Sequence, residues 1–138
     1  MANETQKLPF IGRGDQRIQW FRSKTFNIDN GSGTTDDDII FGDLDKDSWV
    51  VHVRAIYVEA TDTAGAASAN FSLGTAAGGA TIVAATALEV SQSVGDATTA
   101  TIVAGRVAAG SSCFARHTGI AATEGGQYYL QVGVISLP

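Results

Sequence analysis

From Trp49 onward, short runs of β-branched and aromatic residues are broken by glycine-bearing turns roughly every 8 to 15 residues. The turns read "TAAGGA", "SQSVGDA", "RVAAGS" and "GIAATEGG". Between them lie "ANFSL", "ATIVAATAL", "TATIVAG", "SCFARH" and "QYYLQVGVIS". A chain punctuated this often has little room for crossover helices, which take a dozen or more residues. It is left to lay short antiparallel strands together, in a sandwich or a barrel.

The individual runs support that architecture. "WVVHVRAIYVEA", Trp49 to Ala60, is the strongest strand, with His52 and Arg54 alternating against Val51, Val53 and Ala55. Past Ile56 both of its faces turn apolar, as in a strand running into the interior. In the last run Tyr128, Leu130, Val132 and Val134 share one face, and Gln127, Tyr129, Gln131 and Gly133 the other. One side of that strand is therefore buried and the other faces water or a partner. In "RIQWFRSKTFNI", Arg22 and Lys24 interrupt the apolar face made by Ile18, Trp20, Phe26 and Ile28. That interruption predicts a bulge or two short strands. "DNGSGTTDDD" reads as a turn, "IIF" as a short strand, and "GDLDKDS" as the return.

The stretch Ala67 to Leu88 is almost wholly Ala, Gly, Thr and Ser, and carries no charge. Alanine propensity would allow a helix over "ATIVAATALEV". Thr81, Ile82, Val83 and Thr86 argue for a strand instead, because branched side chains lose rotamer freedom in a helix. "AAGG" falls where a turn belongs, and the small side chains suit tightly apposed sheets or a flat face against a neighbour. Part of Thr75 to Ala87 is expected at or near a subunit contact. The fold expected is all-β, an antiparallel β-sandwich of about eight strands over residues 17–138. Residues 1–16 form an N-terminal arm, with Leu8, Pro9, Phe10 and Ile11 as its apolar anchor.

A chain of 138 residues can bury a sufficient core without disulfides or metal. Seven of its nine basic residues (Lys7, Arg13, Arg17, Arg22, Lys24, Lys46 and Arg54) lie at or before Arg54. From Thr63 to the end the only charges are Glu89, Asp96, Arg106, Arg116 and Glu124. So neutral a half suggests surface covered by partners, since exposed surfaces are ordinarily charged. A net charge of -5 with no basic cluster argues against nucleic acid. No run of 18 apolar residues is present to span a membrane, and "MANETQKLPF" lacks the apolar centre of a signal peptide. Both point to synthesis in the cytoplasm. Cys113, the lone cysteine, reads as a small buried apolar residue.

Motifs that carry chemistry are few. Asp43, Asp45 and Asp47 alternate beside Asp36, Asp37 and Asp38, a spacing that could gather oxygen ligands around Ca²⁺. An EF-hand loop counted from Asp43 fails, with Ser48 at its sixth place and Arg54 at its twelfth. A solvated acidic loop is the default, and no metal or cofactor is expected. "RGD" at Arg13 to Asp15 and "NFS" at Asn70 to Ser72 read as chance matches. His52 and His117 are the only histidines. His117 stands about 13 Å from Cys113 along a strand, too far for a nucleophile–base pair. The chain is not expected to be an enzyme. Trp20 and Trp49 read as core, while Tyr129, flanked by Gln127 and Gln131, is the better interface residue.

From Ser48 to the end, the order of strands and turns resembles the small jelly-roll decoration (cement) proteins of tailed-bacteriophage heads. The resemblance is carried by "VVHVRAIYVEA", by "FSLGT" entering "ATIVAATAL", by the turn "RVAAGSS", and by the closing "TGIAATEGGQYYLQVGVISL". It implies a jelly-roll subunit on the outer capsid surface of a virion, a homotrimer that braces the major capsid protein and performs no chemistry. The longer N-terminal region, with "RIQWFRSKTF" and its acidic loop, departs from that pattern. The interface residues expected are Leu8, Pro9, Phe10, Ile11, Thr75, Thr81, Tyr129 and Gln131. Alternatives are a tail, fibre or head-surface module that binds host glycans, or a stand-alone carbohydrate- or Ca²⁺-binding sandwich.

Overall fold

The computed structural model describes residues 18–42, 44–61, 69–120 and 125–136. Ten strands are present among them: β1 (Gln19–Arg22), β2 (Phe26–Asn27), β3 (Thr35–Phe41), β4 (Ser48–Glu59), β5 (Asn70–Gly74), β6 (Val83–Ala87), β7 (Ala97–Thr99), β8 (Arg106–Val107), β9 (Cys113–Thr118) and β10 (Gln127–Ser136). Sheet I runs β1-β10-β4-β7, with β2 also on β10 and β8 also on β4. Sheet II runs β3-β9-β5-β6. All pairings are antiparallel.

β1 and β2 lie in line on β10, and β7 and β8 lie in line on β4, so ten strands reduce to eight. Numbered that way, sheet I has the order 1-8-3-6 and sheet II the order 2-7-4-5. This is the double Greek key of a jelly roll.

The interruption expected between Trp20 and Phe26 falls at Ser23–Thr25. Ser23 mends the ladder there: its amide donates to the Leu130 carbonyl at 2.9 Å, and its hydroxyl accepts from the Leu130 amide at 2.9 Å. On the β4–β10 pair, a register shift near Gly133 moves the alternation by one residue. Val50 and Val53 both turn inward, while Val51 is left 41% exposed. Val51, expected beside Val53, is thus on the wrong side of a bulge.

Two element boundaries also differ from expectation. The turn assigned to "DNGSGTTDDD" ends at Thr34, and Asp36, Asp37 and Asp38 belong to β3. A strand rich in Asp is unfavourable by propensity, but cations on neighbouring elements hold these carboxylates (below). The strand expected over "TATIVAG" is absent. β7 ends at Thr99, and the chain crosses to sheet II, where the Val103 amide bonds the Ile82 carbonyl at 2.7 Å. It returns through Gly105, whose carbonyl accepts from the Val50 amide at 2.8 Å. Arg106–Val107, read as turn, then pair as β8.

The core lies between the sheets. Phe26, Val53, Ala55, Tyr57, Phe71, Leu73, Tyr128, Leu130 and Val132 have no exposed surface. Its two buried tyrosines are anchored by hydrogen bonds. The Tyr57 hydroxyl lies 2.6 Å from Thr98 Oγ1 and accepts the Glu89 amide at 2.9 Å. The Tyr128 hydroxyl, from sheet I, lies 2.7 Å from Nδ1 of His117, from sheet II.

Candidate interaction face

Because Tyr128, Leu130, Val132 and Val134 point into the core, the alternate residues of β10 line the outer face of sheet I. The pairing register decides what stands beside them. Trp20 and His52 flank Gly133, Arg22 and Arg54 flank Gln131, and Ile56 lies beside Tyr129. Residues far apart in the chain are thereby set in rows across three adjacent strands.

Each row is packed in place. The Arg22 guanidinium carbon sits 3.8 Å from the centroid of the Tyr129 ring, within cation–π range. Arg54 Nε donates to Gln131 Oε1 at 2.7 Å. Trp20 meets His52 edge to face, ring centroids 5.6 Å apart. Gly133 makes room for this: a Cβ there would stand 2.9 Å from Cζ3 of Trp20. The indole thus fills the space that a side chain on β10 would occupy. Trp20 still leaves 51% of its surface exposed, and Ile18, next to it, 44%. Large apolar groups exposed beside ordered arginines are typical of the centre of a protein interface rather than of free surface.

Among the described residues, neither Arg22 nor Arg54 pairs with a carboxylate. Several carboxylates are engaged within the subunit. Lys24 Nζ donates to Asp36 at 2.6 Å, and the Lys24 amide donates to Asp38 at 2.7 Å. Arg106 donates to Asp47 at 2.7 Å, and the Ala109 amide reaches the same carboxylate at 3.0 Å. Those two bonds hold the Asp47 carboxyl below its ordinary value.

The outer face of sheet II is built differently. Arg116 forms a two-pronged bond to Asp37, 2.6 Å from Nε and 2.7 Å from Nη2. That fork lowers the pKa of Asp37 and raises that of Arg116. The turn after β5 then folds back over this face. The Ser72 hydroxyl donates to the Gly79 carbonyl at 3.3 Å. Gly78, at φ +76°, lies so close above the Arg116 guanidinium that a Cβ would be 2.6 Å from Nη1.

The residues expected at an interface separate along these lines. Tyr129 and Gln131 come together on sheet I, in contact with Arg22 and Arg54. Thr75 and Thr81 are exposed on the turn that covers sheet II. Leu8, Pro9, Phe10 and Ile11 lie outside the described residues, as does the arm they belong to. Trp20, expected in the core, is on the outer face, and Trp49 is half-buried. Arg22 on the same strand face was the available signal, since a face with an unpaired arginine at its centre is rarely the buried one.

The acidic residues do not converge. Asp36, Asp37 and Asp47 take separate cations, Asp43 lies outside the described residues, and no group of three or more metal-ligating side chains occurs among those described. Cys113 is fully buried, and burial pushes its thiol up to about 12. His117 is also fully buried, and burial lowers its pKa below the ordinary value. Nδ1 shares its hydrogen bond with the Tyr128 hydroxyl, and the buried Nε2 has no hydrogen-bond partner among the described residues.

Fold and face together define an eight-stranded jelly roll with an aromatic–arginine surface that is exposed among the described residues. Among solved structures, a chain of the "Cyanophage Pam1 capsid asymmetric unit" shares this fold, with a TM-score of 0.60 at 14% identity. The match covers 100% of this chain and 98% of that one. No protein-family model matches the sequence, and no curated protein matches it.

Proposed function

We propose that this chain is a structural protein of a phage virion, a jelly-roll subunit that binds the outer surface of the head and braces neighbouring major capsid subunits. The observation that carries this reading is the end-to-end correspondence in fold with a chain of a phage capsid unit, with almost nothing left over on either chain. The bare face of sheet I supports it, because a bracing protein acts by adding buried interface. Specific contacts of this kind bury roughly 1,200 to 2,000 Å². Bound at a junction between capsomers, the subunit works as a homotrimer, with the N-terminal arm and the turn at Thr75–Thr81 free to contact sister subunits or the capsid. It needs no cofactor and carries out no reaction.

The test is direct. Isolated heads of the phage encoding this chain, stripped of it, should rebind the purified protein at a fixed stoichiometry and resist heat better once decorated. Mass measurement in solution should give a trimer. A strict monomer that also fails to bind heads overturns the proposal.

The exposed Trp20 and Tyr129 favour one second reading, a head-surface module that holds glycans against aromatic rings. Glycan-array binding that is lost in Tyr129→Ala would support it.

A further inference from the structure

Arg22 and Arg54 project from β1 and β4, the two neighbours of β10, on either side of Gln131. Their strands are two spacings apart, about 9.5 Å. Both guanidiniums are held before any partner arrives, one stacked on Tyr129 and the other bonded to Gln131. Pre-ordering of this kind removes part of the entropy lost when a long side chain is fixed on binding. Each guanidinium has five donors. The Arg54–Gln131 bond occupies one nitrogen of Arg54, and Arg22, stacked on Tyr129, spends only Nε, in a long bond to the Ser23 carbonyl at 3.5 Å. Donors therefore remain for an anion. Trp20, Tyr129 and Ile56 frame the pair with apolar surface, which lowers the local dielectric and strengthens a charged bond made there.

We infer that this row, Arg22–Gln131–Arg54 with Tyr129, is a docking site for a carboxylate-bearing segment of another protein. For the partner's place on a phage head the inference rests on the function proposed above; for its chemistry it rests on the row itself. A guanidinium matches a carboxylate with two parallel bonds, and two guanidiniums flanking an amide suit a segment carrying two acidic residues. Other occupants fit less well. A second copy packed face to face about a two-fold axis would set the arginine row against its own image, like charge to like. Asp36, Asp38 and Asp47 are taken up by bonds within the subunit, and Glu59 of β4 stands opposite Gln127, beyond the end of the arginine row. A nucleic-acid backbone needs a run of cations along its phosphates, whereas this row offers two among the described residues, in a chain of net charge -5. An anionic membrane surface is recognised by clusters of about four to eight cations.

Two experiments test the site, one of them independent of any phage particle. Isotope-labelled protein is titrated with poly-L-glutamate while the Arg22, Arg54 and Gln131 side-chain resonances are followed. These signals should shift together, and Arg22→Gln or Arg54→Gln should each weaken the affinity about tenfold, the loss expected for one charge-assisted contact. Added salt should weaken it further. Ile39→Ser, on the opposite sheet, should bind as the parent does. Absence of the shifts overturns the inference. Shifts of equal size with heparin also overturn it, because the site would then take polyanions in general.

The second experiment repeats the head-binding assay with both arginine variants. Weaker binding supports the docking site. Undiminished binding of Arg22→Gln and Arg54→Gln removes it and leaves the proposed function standing. Protein that binds poly-L-glutamate but no heads removes the proposed function and leaves the site.

Discussion

The two outer faces of the sandwich meet the same steric circumstance in opposite ways. Each has a glycine at the middle or end of a strand whose missing Cβ is filled by another part of the chain. On sheet II the filler is backbone: the Gly79 carbonyl carbon would lie 2.6 Å from a Cβ on Gly74. On sheet I it is the tip of a side chain, the Trp20 indole over Gly133. Charge follows the same division. The arginine of sheet II is forked onto Asp37 beneath the folded turn. On sheet I, Arg22 and Arg54 rest on an aromatic ring and an amide, while Arg106 at the far end of β4 pairs with Asp47. Sheet II covers its surface with its own chain, whereas sheet I leaves Trp20 and Ile18 about half exposed.

The sharpest way to break this contrast is Gly74→Ala. A methyl group there meets the Gly79 carbonyl carbon at 2.6 Å and its Cα at 2.8 Å, and backbone cannot rotate aside as a side chain can. The substitution should destabilise the protein by about 3 kcal/mol, the upper end of the usual overpacking penalty. Chemical denaturation measures it. Parent-like stability in this variant would mean that the turn does not lie against sheet II.

A smaller effect is expected where the two sheets join. Tyr128→Phe removes the hydroxyl that meets His117 Nδ1 and leaves that buried nitrogen unpaired, at a cost of about 1–3 kcal/mol. Combining it with His117→Phe removes both polar partners and should recover much of the loss. The same pair sets an acid limit. Burial lowers the folded-state pKa of His117, so the unfolded chain takes up a proton first as pH falls below about 6.5. Stability should therefore decline from that pH down to the folded value, and the decline should be absent in the double variant.

The buried half of the molecule was the more legible half. The alternation of Tyr128, Leu130, Val132 and Val134 marked the inward face of β10, and the branched residues from Thr81 to Thr86 favoured the strand that β6 forms over a helix. The break after Arg22 foretold the gap between β1 and β2. Errors arose where a register shift or a distant partner decides the outcome. One extra residue in β4 exchanged Val51 for Val50. The acidic β3 is a strand because Lys24 and Arg116 reach it from other elements. Trp20 was assigned to the core since a large indole is usually buried, but Gly133, more than a hundred residues later, gives it an external seat. The outer face of sheet I was half visible for the same reason. Tyr129 and Gln131 follow from alternation within one strand, whereas Arg22 and Arg54 join them only through pairings of three strands.

The remaining expectations are small in energy and informative in sign. Asp37→Asn removes a fork that is about one-third exposed on each side, so the melting temperature should fall slightly and the difference should shrink in high salt. Arg116 holds the Asp37 carboxyl below its ordinary value. Its contribution is therefore present above about pH 3.9 and lost as pH falls through the lower folded value. Arg22→Gln on sheet I, without a carboxylate partner among the described residues, should change the melting temperature little.

Gly133→Ala should also cost little, since the added methyl has only to push aside the Trp20 ring and the Ile18 methyl. Stability should change by within about 0.5 kcal/mol, as for ordinary surface substitutions. The displaced indole would leave His52 and change its fluorescence, and no change should occur when Trp20→Phe is already present. If Trp20 is the apolar frame of a docking site, this nearly silent substitution should still weaken binding to heads. A variant that moves the indole, keeps its fold and binds undiminished would show that the two faces differ in packing alone.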